Sequence, residues 1–412
     1  MIPRVGVDVT AIERIEKAFA RHKTRFLRKF LTEREIEYCG GSAESWAGRW
    51  AAKEAIGKAL PSGVARPRMV DVEILPRPDG RPHVWVGQKT SLAGRTVDVS
   101  IAHDGHFAIA VAVIPDTGPR PRPAALPPGF RLPERPRDGH KGTFGTAVAL
   151  AGSQGFTGAA YLTSMGAARS GAGLVRLLVG QSIYPILAEK CTEVMVTPLP
   201  EVAPGVVGHV SASGVLRGFS GADAGVIGPG LGRDASTRRL LEDVIPRIQA
   251  PLVLDADALN LLAEQRPLLP RLPQEIVLTP HPAEFGRLSG LEVSAVQSDR
   301  EGVARRFAAA WKKVVVLKGA RTVVAAADGR SCVNDAATAA LASGGTGDVL
   351  AGLIAGLLAQ GLTAYEAAVT GVHLHGLAGL QLEAEVGSAG VLASEILPVI
   401  PRLMERLRTG SA

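Results

Sequence analysis

Aromatic residues are scarce in this 412-residue chain, at 4% of the total. Cysteine is scarcer: Cys39, Cys191 and Cys332 are odd in number, far apart and without a CxxC pair. That excludes a disulfide scaffold and predicts reduced, buried thiols in a cytoplasmic protein. Long apolar runs are missing as well. The greasiest stretch, Val349 to Ala359, is too short and too glycine-interrupted to span a bilayer. The opening MIPRVGVDV lacks the basic-then-apolar pattern of an export signal, and no internal repeat is evident. What is present is 46% hydrophobic residue, mostly Ala, Val and Leu, with 48 glycines. This is the composition of a soluble α/β enzyme, and the length suits two domains.

The net charge is +7, and all of it lies in the first third. Residues 1–140 hold 23 Lys+Arg against 16 Asp+Glu, whereas residues 141–412 hold 23 of each. Two functional units follow, the first with an acidic partner. Between them the segment PDTGPRPRPAALPPGFRLPERPRDGH is dense in Pro, Arg and Gly, and reads as an extended linker. Its arginines would also suit a nucleic-acid tail, but a solvated linker accounts for them. The expected division is 1–115, a linker at 116–130, and 131–412.

Before the linker the pattern is a strand (Val5–Val9), helices over about Thr10–Lys29 and Ser45–Leu60, then short strands. This is an α+β arrangement. After it, apolar and unalternating strands (AVALAGS, LVRLLVG, AGVIGPG, PLVLDAD, EIVLTPH, KVVVLKG) alternate with helix patterns. Such strands predict a mainly parallel sheet covered by helices on both faces.

Residues Gly344 to Asp348, GGTGD, open the apolar helix pattern VLAGLIAGLLAQG. Glycines at a helix start let backbone N–H groups approach a phosphate, and the helix dipole favours negative charge there. An aspartate closing such a cradle would repel the anion as a ligand but makes sense as a base on an attacking hydroxyl. The pentapeptide alone also allows a plain glycine-rich turn before a core helix. Its company sharpens the reading: VIGPGLG, VLDADALN, VLTPHPAEF and VVLKGART all stand at the carboxyl ends of predicted strands, where open α/β sheets bind ligands. Taken singly, His281 also suits a capped loop residue and Lys318 a surface residue.

In the first unit Asp8 ends the first strand, and Glu54 lies in WAGRWAAKEAIGKAL. Trp46, Trp50, Ala51 and Ile56 form the apolar side, which leaves Arg49, Lys53 and Glu54 around one rim. Two carboxylates with nearby bases suit Mg²⁺ completed by substrate phosphates, or a surface ion cluster. Arg14, Lys17, Arg21, Arg25 and Arg28 are spaced as one helical face beside Ile12, Ile15, Phe19 and Phe26. Such a stripe suits a solvated face, and nucleic acid could also use it, although no aromatic stacking platform accompanies the arginines.

GVDVTAIERI, FLTEREIEYC, WAGRWAAKEAIGKAL, VDVEIL and VSIAHDGHFAIAVAV, in that order, make residues 1–115 resemble holo-[acyl-carrier-protein] synthase. The resemblance implies transfer of 4′-phosphopantetheine from coenzyme A to a carrier-protein serine. It implies Mg²⁺ at Asp8 and Glu54, coenzyme A phosphates near Lys53, Lys58 and His103, and an acyl carrier protein docked on Arg14, Arg21, Arg25 and Arg28. From about Arg131 to Leu407, the motifs KGTFG, TGAA, AARSGAGLVR, IGPGLG, LDADALN, TPHPAEF, LKGA, GGTGDVLAG and HLHGLAG resemble the ADP-dependent NAD(P)H-hydrate dehydratase, of ribokinase-like fold. That resemblance implies hydrated dinucleotide at Ala159, Gly230, His281 and Asp348. It implies the adenosine nucleotide at Lys318, Gly319, Ala320, Arg321, Thr322 and Gly347, with Asp348 as the base. The epimerase often fused to this dehydratase is not seen, so one hydrate epimer is expected to be used directly. Both resemblances imply a homo-oligomer in the cytoplasm, with neither membrane nor nucleic acid as partner.

Overall fold

Alternation along the first strand sets the architecture of the N-terminal unit. In β1 (Arg4–Ala11) Gly6, Asp8 and Thr10 face inward, while Val5, Val7 and Val9 face outward. The computed structural model describes residues 4–60, 66–77, 80–87, 90, 92, 96–114, 126–273 and 275–409. Contacts divide the chain into two compact units, Met1–Ala124 and Ala125–Ala412.

In the first unit β1 leads into α1 (Ile12–His22), α2 (Thr24–Leu27), α3 (Glu33–Cys39) and α4 (Ala43–Ala59). Four strands follow: β2 (Val72–Pro76), β3 (Pro82–Val86), β4 (Asp98–Asp104) and β5 (Phe107–Ile114). β1, β5 and β4 form an antiparallel sheet in that order, and β2 pairs with β3. The sheet lies directly on α4. A Cβ at Gly6 would fall 2.0 Å from the Ala55 carbonyl, so only glycine permits this approach.

The helix expected over Thr10–Lys29 is broken. Lys23 adopts φ 51°, which ends α1 and starts the short α2. Apolar periodicity continues across the break, with Phe19 against Trp46 and Phe26 stacked on Trp50, so spacing alone did not reveal it. A second difference concerns Lys53. Its ammonium is buried, 2.6 Å from Glu35 and 2.6 Å from the Phe30 carbonyl, and so faces the core, not the rim. Glu35 is fully buried too; it closes the capping box of α3 with Thr32 and accepts from the Ile74 N–H. One ion pair therefore ties α3, α4 and β2 together.

The second unit alternates strand and helix. It runs β6 (Thr146–Leu150), α5 (Thr157–Arg169), β7 (Leu174–Gly180), α6 (Tyr184–Lys190), β8 (Met195–Leu199), α7 (Ala212–Phe219), β9 (Ala224–Ile227) and α8 (Ala235–Val244). Next come β10 (Leu252–Leu254), α9 (Asp257–Ala263), β11 (Ile276–Leu278), α10 (Pro282–Ser289), α11 (Val293–Ser298) and α12 (Arg300–Trp311). It closes with β12 (Val314–Leu317), β13 (Thr322–Ala325), β14 (Ser331–Asn334), α13 (Thr346–Ala359), α14 (Ala364–Val386) and α15 (Ala393–Thr409). The nine-stranded sheet has the order β14-β13-β12-β11-β10-β9-β6-β7-β8, parallel from β12 to β8 with an antiparallel hairpin at the other end. Successive residues of β6 enter different cores: Ala147 and Ala149 meet the α5, α13, α14 and α15 side, Val148 and Leu150 the α7 to α12 side. Burial on both faces is why these strands lack polar alternation.

Of the segment read as linker, residues 115–125 lie outside those described. Residues 126–130 differ from the expectation of a solvated tether: Phe130 packs edge-on to His373, and the next N–H, of Arg131, donates to Thr370 Oγ1. All three cysteines are free thiols. Among the described residues no helix is long and apolar enough to cross a membrane.

Candidate active sites

The strand order of the second unit creates its site. From β6 the chain moves to β7 and β8 on one side, while β9 to β12 build outward on the other. The loops after β6 and β9 therefore diverge, leaving a crevice at the carboxyl edge of the sheet. They meet at its floor: the Gly152 N–H donates to the Pro229 carbonyl, and a Cβ at Gly230 would lie 2.9 Å from that of Ala159. The next loops along the same edge bring Asp255 from β10, His281 from β11 and Lys318 from β12.

Asp348 enters from α13, whose N-cap Gly345 has φ 93°. A side chain there would meet Leu162 at 2.5 Å, so glycine is needed both for the turn and for the space. Below it, the buried His375 donates from Nε2 to the Thr346 carbonyl at 2.9 Å, while Thr346 Oγ1 donates to the Leu341 and Ser343 carbonyls. Burial lowers the His375 pKa to about 4, so the imidazole stays neutral. The first turn of α13 is thus fastened on its carbonyl side, and its N–H groups remain for an anion.

Charges concentrate around Lys318. Its Nζ lies 2.6 Å from Asp255 Oδ1, and Asp255 is 1% exposed. Burial pulls the Lys318 pKa down, but Asp255, Glu284 and Asp348 outweigh it and hold the ammonium charged. Burial, with Asp255 and Asp257 adding repulsion, pushes Asp348 up to about 7 against the attraction of Lys318. Burial likewise raises Glu284 to about 7, again opposed by Lys318. A carboxyl poised near neutrality beside an anion cradle is suited to take a proton from an alcohol.

Asp255 and Asp257 are aimed by a strained turn. The Ala258 N–H donates to the Asp255 carbonyl, and Ala256 between them adopts φ 50°, ψ −115°, the geometry of a type II′ turn that normally requires glycine. Asp257 then accepts from the Gly232 N–H at 2.9 Å, joining the β9 and β10 loops.

His281 has a fixed tautomer. It is the N-cap of α10, where its Nδ1 accepts from the N–H groups of Ala283 and Glu284. The ring proton must therefore sit on Nε2, which lies 3.4 Å from Glu284 Oε1. Burial first, then Lys318 and Arg287, lowers the His281 pKa and keeps the ring neutral. In this state His281 donates a hydrogen bond and cannot act as a base.

The crevice thus gathers Ala159, Gly230, His281, Lys318, Gly347 and Asp348, with the turn Lys318 to Thr322 at its side. Sequence reading did not assign roles to Asp255, Asp257, Glu284 or His375. The first three stand in LDADALN and TPHPAEF, whose acids at strand ends were the available signal. His375 stands in HLHGLAG, where nothing marked it as buried.

In the first unit Asp8 and α4 define a second constellation. Lys58 Nζ lies 2.8 Å from Asp8 Oδ1, and Thr10 donates to Asp8 Oδ2. Glu54, one turn before Lys58, has Arg66 near it, at 3.9 Å. His103 lies elsewhere on the same sheet face. The register places Ile101, not His103, in line with Asp8, and His103 Nε2 donates to the Glu44 carbonyl. Lys53 is removed from the set, because its charge is consumed in the core by Glu35. The basic face is also shorter than expected. Arg14, Lys17 and Arg21 line a cavity of about 390 Å³ along α1, whereas Arg25 and Arg28 follow the break at Lys23, with Arg28 paired to Glu33. Lys17 pairs with Glu13.

Residues 147–402 match the NAD(P)H-hydrate dehydratase family model, and residues 4–112 that of the 4′-phosphopantetheinyl transferase superfamily. A bifunctional NAD(P)H-hydrate repair enzyme of Moorella thermoacetica is 41% identical over 277 residues, which cover 67% of this chain and 52% of that protein. The chain spans about half the length of such bifunctional relatives. The ADP-dependent (S)-NAD(P)H-hydrate dehydratase of Bacillus subtilis is 37% identical, over 67% of this chain and 94% of its own. The crystal structure of the Bacillus subtilis ADP/ATP-dependent enzyme with ATP/Mg²⁺ is 33% identical, with a TM-score of 0.57, over 67% of this chain and 94% of its own. Helicobacter pylori holo-[acyl-carrier-protein] synthase in complex with coenzyme A is 37% identical over 27% of this chain and 98% of its own, with a TM-score of 0.25.

Proposed function

Since the chain belongs to the NAD(P)H-hydrate dehydratase family and bears a 4′-phosphopantetheinyl transferase unit ahead of it, we propose that it is a two-headed enzyme. The C-terminal unit dehydrates (S)-NAD(P)H hydrate at the expense of ADP, giving NAD(P)H, AMP and phosphate. The observation that carries this is Asp348, a carboxyl near pH 7 at the start of α13, beside the Lys318–Asp255 pair. Asp348 takes the proton from the C6 hydroxyl of the hydrated ring as that oxygen bonds to the terminal phosphorus of ADP. The bond from that phosphorus to the AMP oxygen breaks. Amides of the GGTGD turn hold the charge that develops. The C–O bond then breaks with phosphate as leaving group, and the neighbouring ring carbon releases a proton to form the double bond. Hydroxide would leave far less readily, which is why a nucleotide is consumed. His281 donates from Nε2 to the hydrated dinucleotide near Ala159 and Gly230. The turn Lys318–Gly319–Ala320–Arg321–Thr322, with Gly347, holds the nucleotide.

The N-terminal unit transfers 4′-phosphopantetheine from coenzyme A to a serine of an acyl carrier protein. Among the described residues no three His, Cys, Asp or Glu side chains group as a protein-only metal site. Asp8 and Glu54 fit a Mg²⁺ completed by the pyrophosphate of coenzyme A, and the ion there would neutralise that pyrophosphate. Lys58, already beside Asp8, supports the phosphate side, and Arg14 and Arg21 receive the acidic carrier. The outward face of the sheet, with Val5, Val7, Val9, Phe107 and Ile109 exposed, supports a homo-oligomer built on this unit. Both activities suit the cytoplasm.

The deciding assay incubates the full chain with (S)-NADH hydrate, Mg²⁺ and ADP and follows dihydronicotinamide absorbance. Recovery that requires ADP and is lost in Asp348→Asn is expected. A stable phosphorylated product without recovery would instead make this unit an alcohol kinase. A mass gain on apo carrier protein, lost in Asp8→Asn and Glu54→Gln, tests the other unit.

A further inference from the structure

The turn between β12 and β13 is held from outside by an arginine that no motif contains. Arg300, the first residue of α12, donates from Nη2 to three carbonyls, those of Leu317 at 2.8 Å, Lys318 at 3.0 Å and Arg321 at 3.3 Å. Its Nη1 is fixed by Gln297 Oε1 at 2.8 Å, and the helix start behind it is capped by Asp299 accepting from the Gly302 N–H. The guanidinium lies so close to the turn that a Cβ at Gly319 would stand 2.8 Å from Nη2. Burial lowers the Arg300 pKa without threatening its charge.

A trans peptide points its C=O and the following N–H in opposite directions. With the Lys318 carbonyl drawn to Arg300, the N–H of Gly319 must face away from the guanidinium. The Lys318 N–H is separately taken by the Pro280 carbonyl, and Thr322 Oγ1 donates to the Gly319 carbonyl. One planar cation therefore sets the peptide orientations of the turn on which the nucleotide would rest. A lysine has no second nitrogen for Gln297 Oε1 to fix, so its ammonium would not be held against the three carbonyls in the same way.

We propose that Arg300 is a positioning residue for nucleotide binding: it touches no substrate, but orients the Lys318–Thr322 turn so that the Gly319 N–H faces ADP. This rests on the reading that the turn holds ADP, and the two are separable. Hydrogen–deuterium exchange of the full-length wild type with and without ADP reads the first. Titration of ADP into Arg300→Ala and Arg300→Lys, alongside steady-state KM values for both substrates, reads the second. Protection of residues 317–323 by ADP is expected. In both variants Kd and KM for ADP should rise about tenfold or more, the scale of one lost charge-assisted hydrogen bond. KM for the hydrate should stay within about twofold on the same reasoning, and added guanidinium should restore part of the ADP affinity of Arg300→Ala. Protection of the turn with unchanged ADP affinity in a folded variant overturns the role of Arg300. So does a parallel rise in both KM values that guanidinium does not reverse. Absence of protection in the wild type overturns the placement of ADP and the proposal with it.

Discussion

His281, which suits both a capped loop residue and a contact for the hydrated dinucleotide, is the N-cap of α10. At the sequence level it was a loop histidine at a strand end. Its cap is what fixes the tautomer, because two N–H groups already occupy Nδ1. His281→Asn preserves both a cap and a donor, and should retain turnover within about tenfold. His281→Asp preserves only the cap and should lose far more, on the scale of a missing hydrogen bond in an enclosed site. Equal kcat/KM in the two would remove the donor role. The acid limb of the rate profile belongs to Asp348, which must be ionised to accept a proton. kcat/KM should therefore fall about tenfold per pH unit below about pH 7. Glu284 titrates in the same range, so Glu284→Gln separates them: an unchanged limb assigns it to Asp348. Stability runs the opposite way. Asp348 is raised above its unfolded value, so between about pH 4 and 7 the folded state keeps a proton that the unfolded state has lost. Its contribution therefore declines as pH rises through that window, and Asp348→Asn should raise Tm at pH 8 more than at pH 5. Thermal unfolding at the two pH values checks the sign.

Helices and strands were legible where one face decides them. The buried parallel strands stood out as unalternating apolar runs, and the glycine-bounded start of α13 was visible in GGTGD. What escaped depended on partners distant in the chain. Lys53 and Glu54 are neighbours, about 100° apart around α4, and Glu35, eighteen positions earlier, with the Phe30 carbonyl holds Lys53 inward. The break at Lys23 carries neither proline nor glycine to announce it. β8 was missed because it is an edge strand with mixed burial and a proline. The Lys53–Glu35 pair gives an element-level prediction. Glu35→Leu alone strands a buried ammonium and should destabilise the first unit by about 3–5 kcal/mol, whereas adding Lys53→Met should recover much of it. Denaturant unfolding of the single and double variants measures the coupling. Equal stability of the two would mean that the pair does not join α3 to α4 energetically.

At the scale of the whole molecule, the charge asymmetry and the change in strand rhythm exposed two units, but composition could not locate where the second begins to pack. Phe130 and Arg131, amid prolines and arginines, lie against α14. Val5, Val7 and Val9 of the strand read at Val5–Val9 form an outer sheet face on the fold. Val7→Lys with Ile109→Glu should shift the full chain to smaller species in light scattering, with its circular dichroism intact. An unchanged mass would relieve that face of any role in assembly. The peptide at Ala256 has a different consequence, for how the chain would evolve. Holding a methyl-bearing residue in a glycine conformation costs about 1–3 kcal/mol, and glycine would return about 0.5–1 kcal/mol of that as extra freedom in the unfolded chain. Ala256→Gly is thus a stabilising step of about 1 kcal/mol within a single codon change. A population selected only for heat tolerance would find it early, while one selected for turnover would be judged by whether the two neighbouring aspartates keep their aim.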